Sequence, residues 1–294
     1  MRARVDRGRR RIEERIDQAW ALVRKRVRGP ASVAPFDGHV RFALLTVNFS
    51  TTRLLKLMLL TLSEQTALDR VGPIVVVDND SRDGGRTFLR ELARRVPRIV
   101  LVENRHFLSH ARGMRTGLRA LDRRDVHANV LLFVDTDVVF RSPRALDDLA
   151  GVFESADVAA AGELRRDLFP YPEAQASFLA VRRDCYARAD VAPWVNHGAP
   201  AYWLQRSLWK SGLNVADFPS NAAGHVLHRG RAGVSAAHKF RPLSSYASAP
   251  NREPHYMGVP DGAEIWSAIE RRFTHLLDER HTNDLYEWLG ARLG

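Results

Sequence analysis

Two aspartates interrupt an otherwise apolar run. In VLLFVDTDVVF, Val130 to Phe140, carboxylates stand at positions 135 and 137. Residues two apart in an extended chain point to the same side, so Asp135 and Asp137 would present their carboxylates together. Charges that close repel and raise at least one pKa unless a cation lies between them. Hard divalent cations such as Mn2+ or Mg2+ prefer oxygen ligands, and they often hold a few carboxylates together with substrate phosphates. The expected chemistry is a metal-held diphosphate. A turn with one capping and one solvated aspartate fits less well, because Val138, Val139 and Phe140 resume the apolar run at once.

A second acidic stretch, DNDSRDGG from Asp78 to Gly85, follows the apolar run IVVVD. A carboxylate at a strand exit can accept hydrogen bonds from a base N–H or from ribose hydroxyls. That role is expected of Asp78, with Asp80 beside it, whereas Ser81 and Asp83 suit a tight turn and a helix cap.

Residues so used must sit at strand ends that lie together. Continuous apolar runs at 41–47, 73–79, 98–104 and 129–135 predict strands buried on both faces. Between them 51–65, 84–96 and 109–123 have helical spacing. Further helices are expected over 143–154, with Ser142 as N-cap and Pro143 at N1, and over 199–212. This order predicts an α/β fold with a mostly parallel sheet, right-handed crossovers and helices on both faces. Ligands bind such sheets at the carboxyl ends of the strands, where both acidic stretches fall. Residues 230–262, rich in Gly, Ser and Pro, predict a loop, and 263–292 one or two C-terminal helices.

At 294 residues the chain can bury a sizeable core, and its single cysteine, Cys185, excludes an intramolecular disulfide framework. Cys185 stands in no motif and is expected to behave as a small hydrophobe. The net charge is +11, but its distribution is uneven. The first 29 residues hold eleven Arg or Lys against four acids, a net of +7, which leaves +4 for the rest. Ile12, Ile16, Ala19, Trp20, Val23 and Val27 recur there at helical spacing among arginines, predicting a basic amphipathic helix. Such a helix can lie on an anionic membrane surface. The alternatives are the body of the protein and a second copy. No apolar run approaches the roughly 20 residues of a membrane span. The spacing of the apolar residues in the tail also argues against a signal peptide.

The segments LLTVNFST, VVVDNDSRDGG and LLFVDTDVVF, in that order and at those intervals, resemble the first half of family 2 glycosyltransferases. The match spans about residues 40–240 and implies the GT-A fold, a Rossmann-like, mostly parallel sheet flanked by helices. It also implies a nucleotide-diphosphate-sugar transferase. By the same resemblance Thr46, Val47, Asn48 and Ser50 line the nucleoside and Asp78 contacts the base. Asp135 meets ribose and metal, and Asp137 ligates the metal. GHVLHRGRAG resembles the family's late histidine, which assigns a ligand role to His228, with His225 as the alternative. Arg229, Arg231, Lys239 and Arg241 follow in a segment that could close over the leaving diphosphate.

The chain departs from the family twice. His106 stands where glycine is usual after the third strand, and Ala199 and Pro200 occupy the places of the acidic pair that commonly supplies the general base. His197, with a suitable unperturbed pKa, is the first candidate for that role and Asp190 the second. Tyr171, Phe178 and Trp194 fall in the acceptor-facing segment, where Tyr171 and Trp194 are expected to stack on sugar.

The expected organisation is a basic helix and linker over 1–38, a GT-A domain over 39–240 with nucleotide and acceptor halves meeting at 140, and C-terminal helices over 241–294. The expected activity is metal-dependent, inverting transfer from a UDP- or GDP-linked sugar to a hydroxyl acceptor, in polysaccharide, glycolipid or specialised-metabolite assembly. The expected location is cytoplasmic, either free or peripheral at the inner face of a membrane, with no nucleic-acid partner. The alternatives are a nucleotidyltransferase, which lacks support from any glycine-rich phosphate loop, and a tethered nucleotide-sugar-binding protein without efficient catalysis.

Overall fold

A computed structural model describes residues 12–294 except 13, 14, 18, 24, 26–32, 125, 126, 168, 169, 196–198, 243, 245, 246, 248 and 250. Four parallel strands form the first half of the sheet: β1 (Phe42–Asn48), β2 (Val71–Asp78), β3 (Ile99–Glu103) and β4 (Val130–Val134). They are linked by helices α1 (Thr52–Leu62), α2 (Gly85–Arg95) and α3 (His110–Asp122). The seven-stranded sheet has the order β3-β2-β1-β4-β7-β6-β8, in which β6 is Val158–Arg165, β7 Glu173–Arg182 and β8 Asn214–Asp217. β7 runs antiparallel to both β4 and β6, and the other pairings are parallel. The predicted α/β, mostly parallel architecture is therefore present. Leu44, Val76 and Leu132 bury one face of the sheet, and Leu45, Val77 and Phe133 the other, as continuous apolar strands require.

Two glycines bring α3 unusually close to that sheet. A Cβ on Gly113 would lie 3.0 Å from Val47, and one on Gly117 would lie 2.9 Å from Val77, so larger residues would push the helix outward. The close approach sets the height of His110, the first residue of α3.

The second half departs further from expectation. β5 (Val138–Phe140) leaves the main sheet and pairs antiparallel with β9 (Val226–His228) in a two-stranded ribbon. The helix expected over 143–154 is α4 (Ala145–Val152), so Arg144 rather than Ser142 is its N-cap and Pro143 precedes it, while Ser142 Oγ accepts from Arg144 N–H in the turn before the helix. α5 (Arg183–Ala187) and α6 (Tyr202–Lys210) follow. Residues 230–262 are not simply a loop, because α7 (Ala232–Phe240) lies within them. Ala236 and Ala237 of that helix pack with Phe49 and Phe107, a contact that small residues permit and that local composition did not signal. The C-terminal helices α8 (Gly262–Arg272), α9 (Thr274–Leu277) and α10 (Thr282–Leu293) join the same core as α1 and α2. There Tyr286 stacks on Phe88 at 5.4 Å, and Trp288 donates to Ser63 at 3.1 Å.

Among the described residues of the tail, 12, 15–17, 19–23 and 25 are helical, as the spacing predicted. No helix among the described residues is long and apolar enough to cross a membrane.

Candidate active site

The two aspartates do not share a face by strand alternation. β4 ends at Val134, and Asp135 to Asp137 form a turn closed by Val138 N–H donating to Asp135 C=O at 3.2 Å. The turn still converges the carboxylates, and the β5–β9 ribbon brings a third group to them. Register places Val138 opposite His228, and Arg229 N–H donates to Asp137 C=O at 2.9 Å. His228 Nε2 then lies 3.3 Å from Asp137 Oδ1 and 4.0 Å from Asp135 Oδ2. One donor atom from each of the three lies within 4.8 Å of the others.

The three side chains act on one another electrostatically. Burial raises the pKa of Asp135, and Asp137 adds to the rise while His110 and His228 oppose it. Burial pushes Asp137 the same way, but the charge and hydrogen bond of His228 and the N–H of Ala232 outweigh it and leave its pKa lowered. Burial pushes His228 down, yet Asp137 and Asp135 prevail and raise it. Asp137 Oδ2 accepts from Ala232 N–H at 3.2 Å, so the N-terminus of α7 faces this carboxylate. Asp135 Oδ1 and His228 Nδ1 are buried and make no hydrogen bond. An unsatisfied carboxylate oxygen beside a second carboxylate and an imidazole fits an oxygen-preferring divalent cation.

The residues expected to line the nucleoside are tied together by Asn48. Its Nδ2 donates to Ser81 Oγ at 3.1 Å, Thr52 Oγ1 at 3.3 Å and Asp78 Oδ1 at 3.4 Å, and its Oδ1 accepts from Thr51 at 3.0 Å. Ser50, at φ 53°, donates its N–H to Ser81 Oγ at 2.8 Å and accepts from Arg82 N–H at 2.9 Å. Asp83 Oδ2 accepts from Thr52 N–H at 2.9 Å and Oδ1 from Gly85 N–H at 3.2 Å, so it caps the start of α1 and braces its own turn. Thr46 is buried and Val47 packs against α3, which leaves both behind the surface rather than on it.

Asp78, expected to reach the base, is 0% exposed. Its Oδ2 accepts from Arg86 Nε at 2.8 Å and from Ser81 N–H at 3.3 Å. Asp80, on a left-handed backbone at φ 64°, instead reaches a cleft of about 530 Å³ together with Arg82, His106, Phe107, Phe240 and Arg241. Arg86 and Arg241 both pair with Asp80. Arg241, just after α7, thus meets the Asp80 cleft, and Lys239 lies over the Phe240 ring at 5.0 Å.

Residues 58–186 match the sequence profile of Glycosyl transferase family 2. Over that span the chain matches a family 2 glycosyltransferase domain. Among solved structures, the glycosyltransferase is similar to the mannosyltransferase PcManGT from Pyrobaculum calidifontis, solved with GDP-Man and Mn2+. Identity is 17%, 93% of this chain and 91% of that one are covered, and the TM-score is 0.47. It is similar to S. aureus TarS 1-349 with UDP-GlcNAc at 13% identity, covering 85% of this chain and 72% of that one, with a TM-score of 0.49. A third similar structure is glucosyl-3-phosphoglycerate synthase from Mycobacterium tuberculosis with phosphoglyceric acid, at 15% identity, 72% and 81% coverage and a TM-score of 0.47. No curated protein sequence matches the chain.

The glycosyltransferase places its other sequence candidates unevenly. His197 lies outside the described residues. Asp190 is exposed, held by Arg188 at 2.7 Å and Ser211 at 2.9 Å, and the Arg188 guanidinium holds its carboxyl well below the usual range. So weak a proton acceptor does not suit a general base. Asp190→Asn should leave the rate of sugar transfer within about twofold, as for an exposed side chain outside the machinery. A loss of a hundredfold or more in a steady-state assay would restore its candidacy.

Trp194 does not line an acceptor surface. It is fully buried against Phe133 at 4.9 Å, and His110 meets its edge at 5.8 Å. Phe178 is buried between Phe140 and Phe218, because the expected acceptor segment contains the central strand β7. Tyr171 is partly exposed and shares the Arg206 guanidinium with Trp203. His225 is turned away from the trio, stacked on Phe218 at 4.6 Å and 3.5 Å from Asp148, so His228 is the histidine brought to the aspartates.

Three residues were missed. His110 Nε2 lies 3.6 Å from Asp135 Oδ1, and its only sequence signal is its place just after Ser109, which caps α3. Glu163 accepts from Asn221 N–H at 2.5 Å, and Asn221 Oδ1 accepts from His228 N–H at 2.9 Å, so both hold the ribbon that delivers His228. Neither belongs to a local pattern that points to β9.

Cys185 is buried among apolar side chains, as expected of a small hydrophobe. Burial pushes its thiol up to about 11. At pH 8 the native protein should therefore react with iodoacetamide many times more slowly than the urea-unfolded chain, because the thiolate is the nucleophile. Equal rates in a mass-spectrometric time course would contradict the buried placement.

Proposed function

We propose that the glycosyltransferase moves a sugar from a nucleotide-diphosphate donor to a hydroxyl acceptor with the help of Mn2+ or Mg2+ held by Asp135, Asp137 and His228. The observation that carries this reading is the convergence of one ligand atom from each of these three side chains within 4.8 Å of the others, in a site where Asp135 Oδ1 makes no hydrogen bond. The cation, when bound, supplies charge that offsets the diphosphate as it leaves.

The chain's own residues divide the remaining work. Asp80 is the carboxylate offered to base or ribose, and Asp78 with Arg86 fixes the loop that carries it. Thr46, Val47, Asn48 and Ser50 shape the nucleoside side from behind, chiefly through the Asn48 network. The N-terminus of α7 and Arg241 bring positive potential to the diphosphate side. His197 is the proposed proton acceptor, supported by an imidazole's ordinary basicity and by the replacement of the usual acidic pair with Ala199 and Pro200. Attack opposite the departing nucleotide would invert the anomeric centre. Tyr171, with Arg206, is the acceptor contact this reading retains. The acceptor belongs to polysaccharide, glycolipid or specialised-metabolite assembly, in the cytoplasm or at its membrane face.

Calorimetric titration of UDP and GDP, first with Mn2+ and then with EDTA, tests this reading. Micromolar binding of one nucleotide that collapses in EDTA supports it and names the donor class. Absence of binding to both, with metal present, overturns it.

A further inference from the structure

The N-terminal helix is docked the wrong way round for a helix of a globular protein. Such helices usually bury an apolar stripe and expose a charged face. Here Asp17 pairs with Arg115 at 2.6 Å, Ala21 is buried, and Lys25 donates to the carbonyls of Val191, at 2.6 Å, and Tyr186. These three residues, four apart, make one face of the helix. Ile12, Ile16, Trp20 and Val23 turn the other way and are 60%, 53%, 59% and 52% exposed. Among the described residues, the exposed large apolar side chains are these four and Leu22, all on this helix.

This ridge belongs to a strongly basic stretch of sequence, since the first 29 residues carry a net +7. A second copy seated on the ridge would bring two such charges together, whereas an anionic lipid surface complements both the apolar side chains and the arginines. The helix is too short and too charged to span a bilayer, but its length suits burial in the interfacial layer, where tryptophan is favoured. We propose that residues 12–25 lay this ridge into the surface of a membrane containing anionic lipid, with the catalytic domain held against the membrane through Asp17, Ala21 and Lys25. The binding does not depend on the transfer reading.

The test is sedimentation of the full-length chain with phosphatidylcholine vesicles and with vesicles containing about 30% phosphatidylglycerol. The wild-type protein should partition at least tenfold better into the anionic vesicles. The variant Ile12→Ser/Ile16→Ser/Val23→Ser changes only exposed side chains and should lose at least tenfold in that partitioning. Its melting temperature and its binding of UDP or GDP should stay as in the wild type, which separates failure of this proposal from failure of the transferase reading. Quenching of wild-type tryptophan emission by brominated lipid, expected in anionic vesicles, gives a second readout without a variant. Equal partitioning of variant and wild type would show charge acting alone and overturn the ridge. A wild-type protein that ignores vesicles, whether monomeric or dimeric by light scattering, overturns the proposal outright.

Discussion

Asp137→Asn should reduce sugar transfer about a thousandfold, the equivalent of several kcal/mol of lost charge stabilisation. Nucleotide binding should become indifferent to Mn2+ in the same variant. The reason lies in what the substitution keeps and what it removes. The amide oxygen of the substituted side chain can still accept from Ala232 N–H, so the turn and the start of α7 remain tied together. The negative charge facing His228 at 3.3 Å is lost, and with it a ligand that no described neighbour replaces. The melting curve should therefore change far less than the activity. Calorimetry with and without EDTA, alongside a transfer assay, checks both halves. Metal-dependent nucleotide binding of wild-type strength in the variant would remove Asp137 from the site.

Trp194→Ala should destabilise the protein by about 3–5 kcal/mol, the usual range for emptying a buried aromatic site. Trp194 fills the space between Phe133 of β4 and His110 of α3, and its carbonyl accepts from Arg115 at 2.7 Å. Its loss opens a cavity beside the ring of His110, which lies 3.6 Å from Asp135, so a fall in activity should accompany the fall in stability. Urea unfolding measures the first, and the second should partly recover in Trp194→Phe, which refills most of the volume. A stability loss below about 1 kcal/mol, with a raised KM for acceptor alone, would return Trp194 to the acceptor surface.

The first half of the fold was legible because its signals are local. Strands β1 to β4 are continuous apolar runs, the helices between them have clear 3.6-residue spacing, and the acidic stretches sit at strand ends. Their order alone constrains the topology to a mostly parallel sheet. The second half was not legible in the same way. β7 falls inside a segment whose aromatics could equally face substrate or core, and only its position between β4 and β6 buries Phe178. α7 is written in small residues that pack only because Phe49 and Phe107 meet them.

The sequence by itself determined which residues could bind a cation. Two aspartates with one residue between them are a weak signal alone; their place in an apolar run and in the ordered set with LLTVNFST and VVVDNDSRDGG singled them out, and the family's late histidine pointed to His228. Tertiary structure decided how they meet: through a turn and a two-stranded ribbon rather than along one strand face. It also decided that Arg86 buries Asp78, that Asp80 reaches the cleft, that Trp194 belongs to the core, and that the N-terminal helix turns its apolar side outward. The physical reason is common to all of these. A residue's type fixes what it can bind, but its exposure and its partner depend on side chains tens to hundreds of positions away in the chain, which local periodicity does not encode.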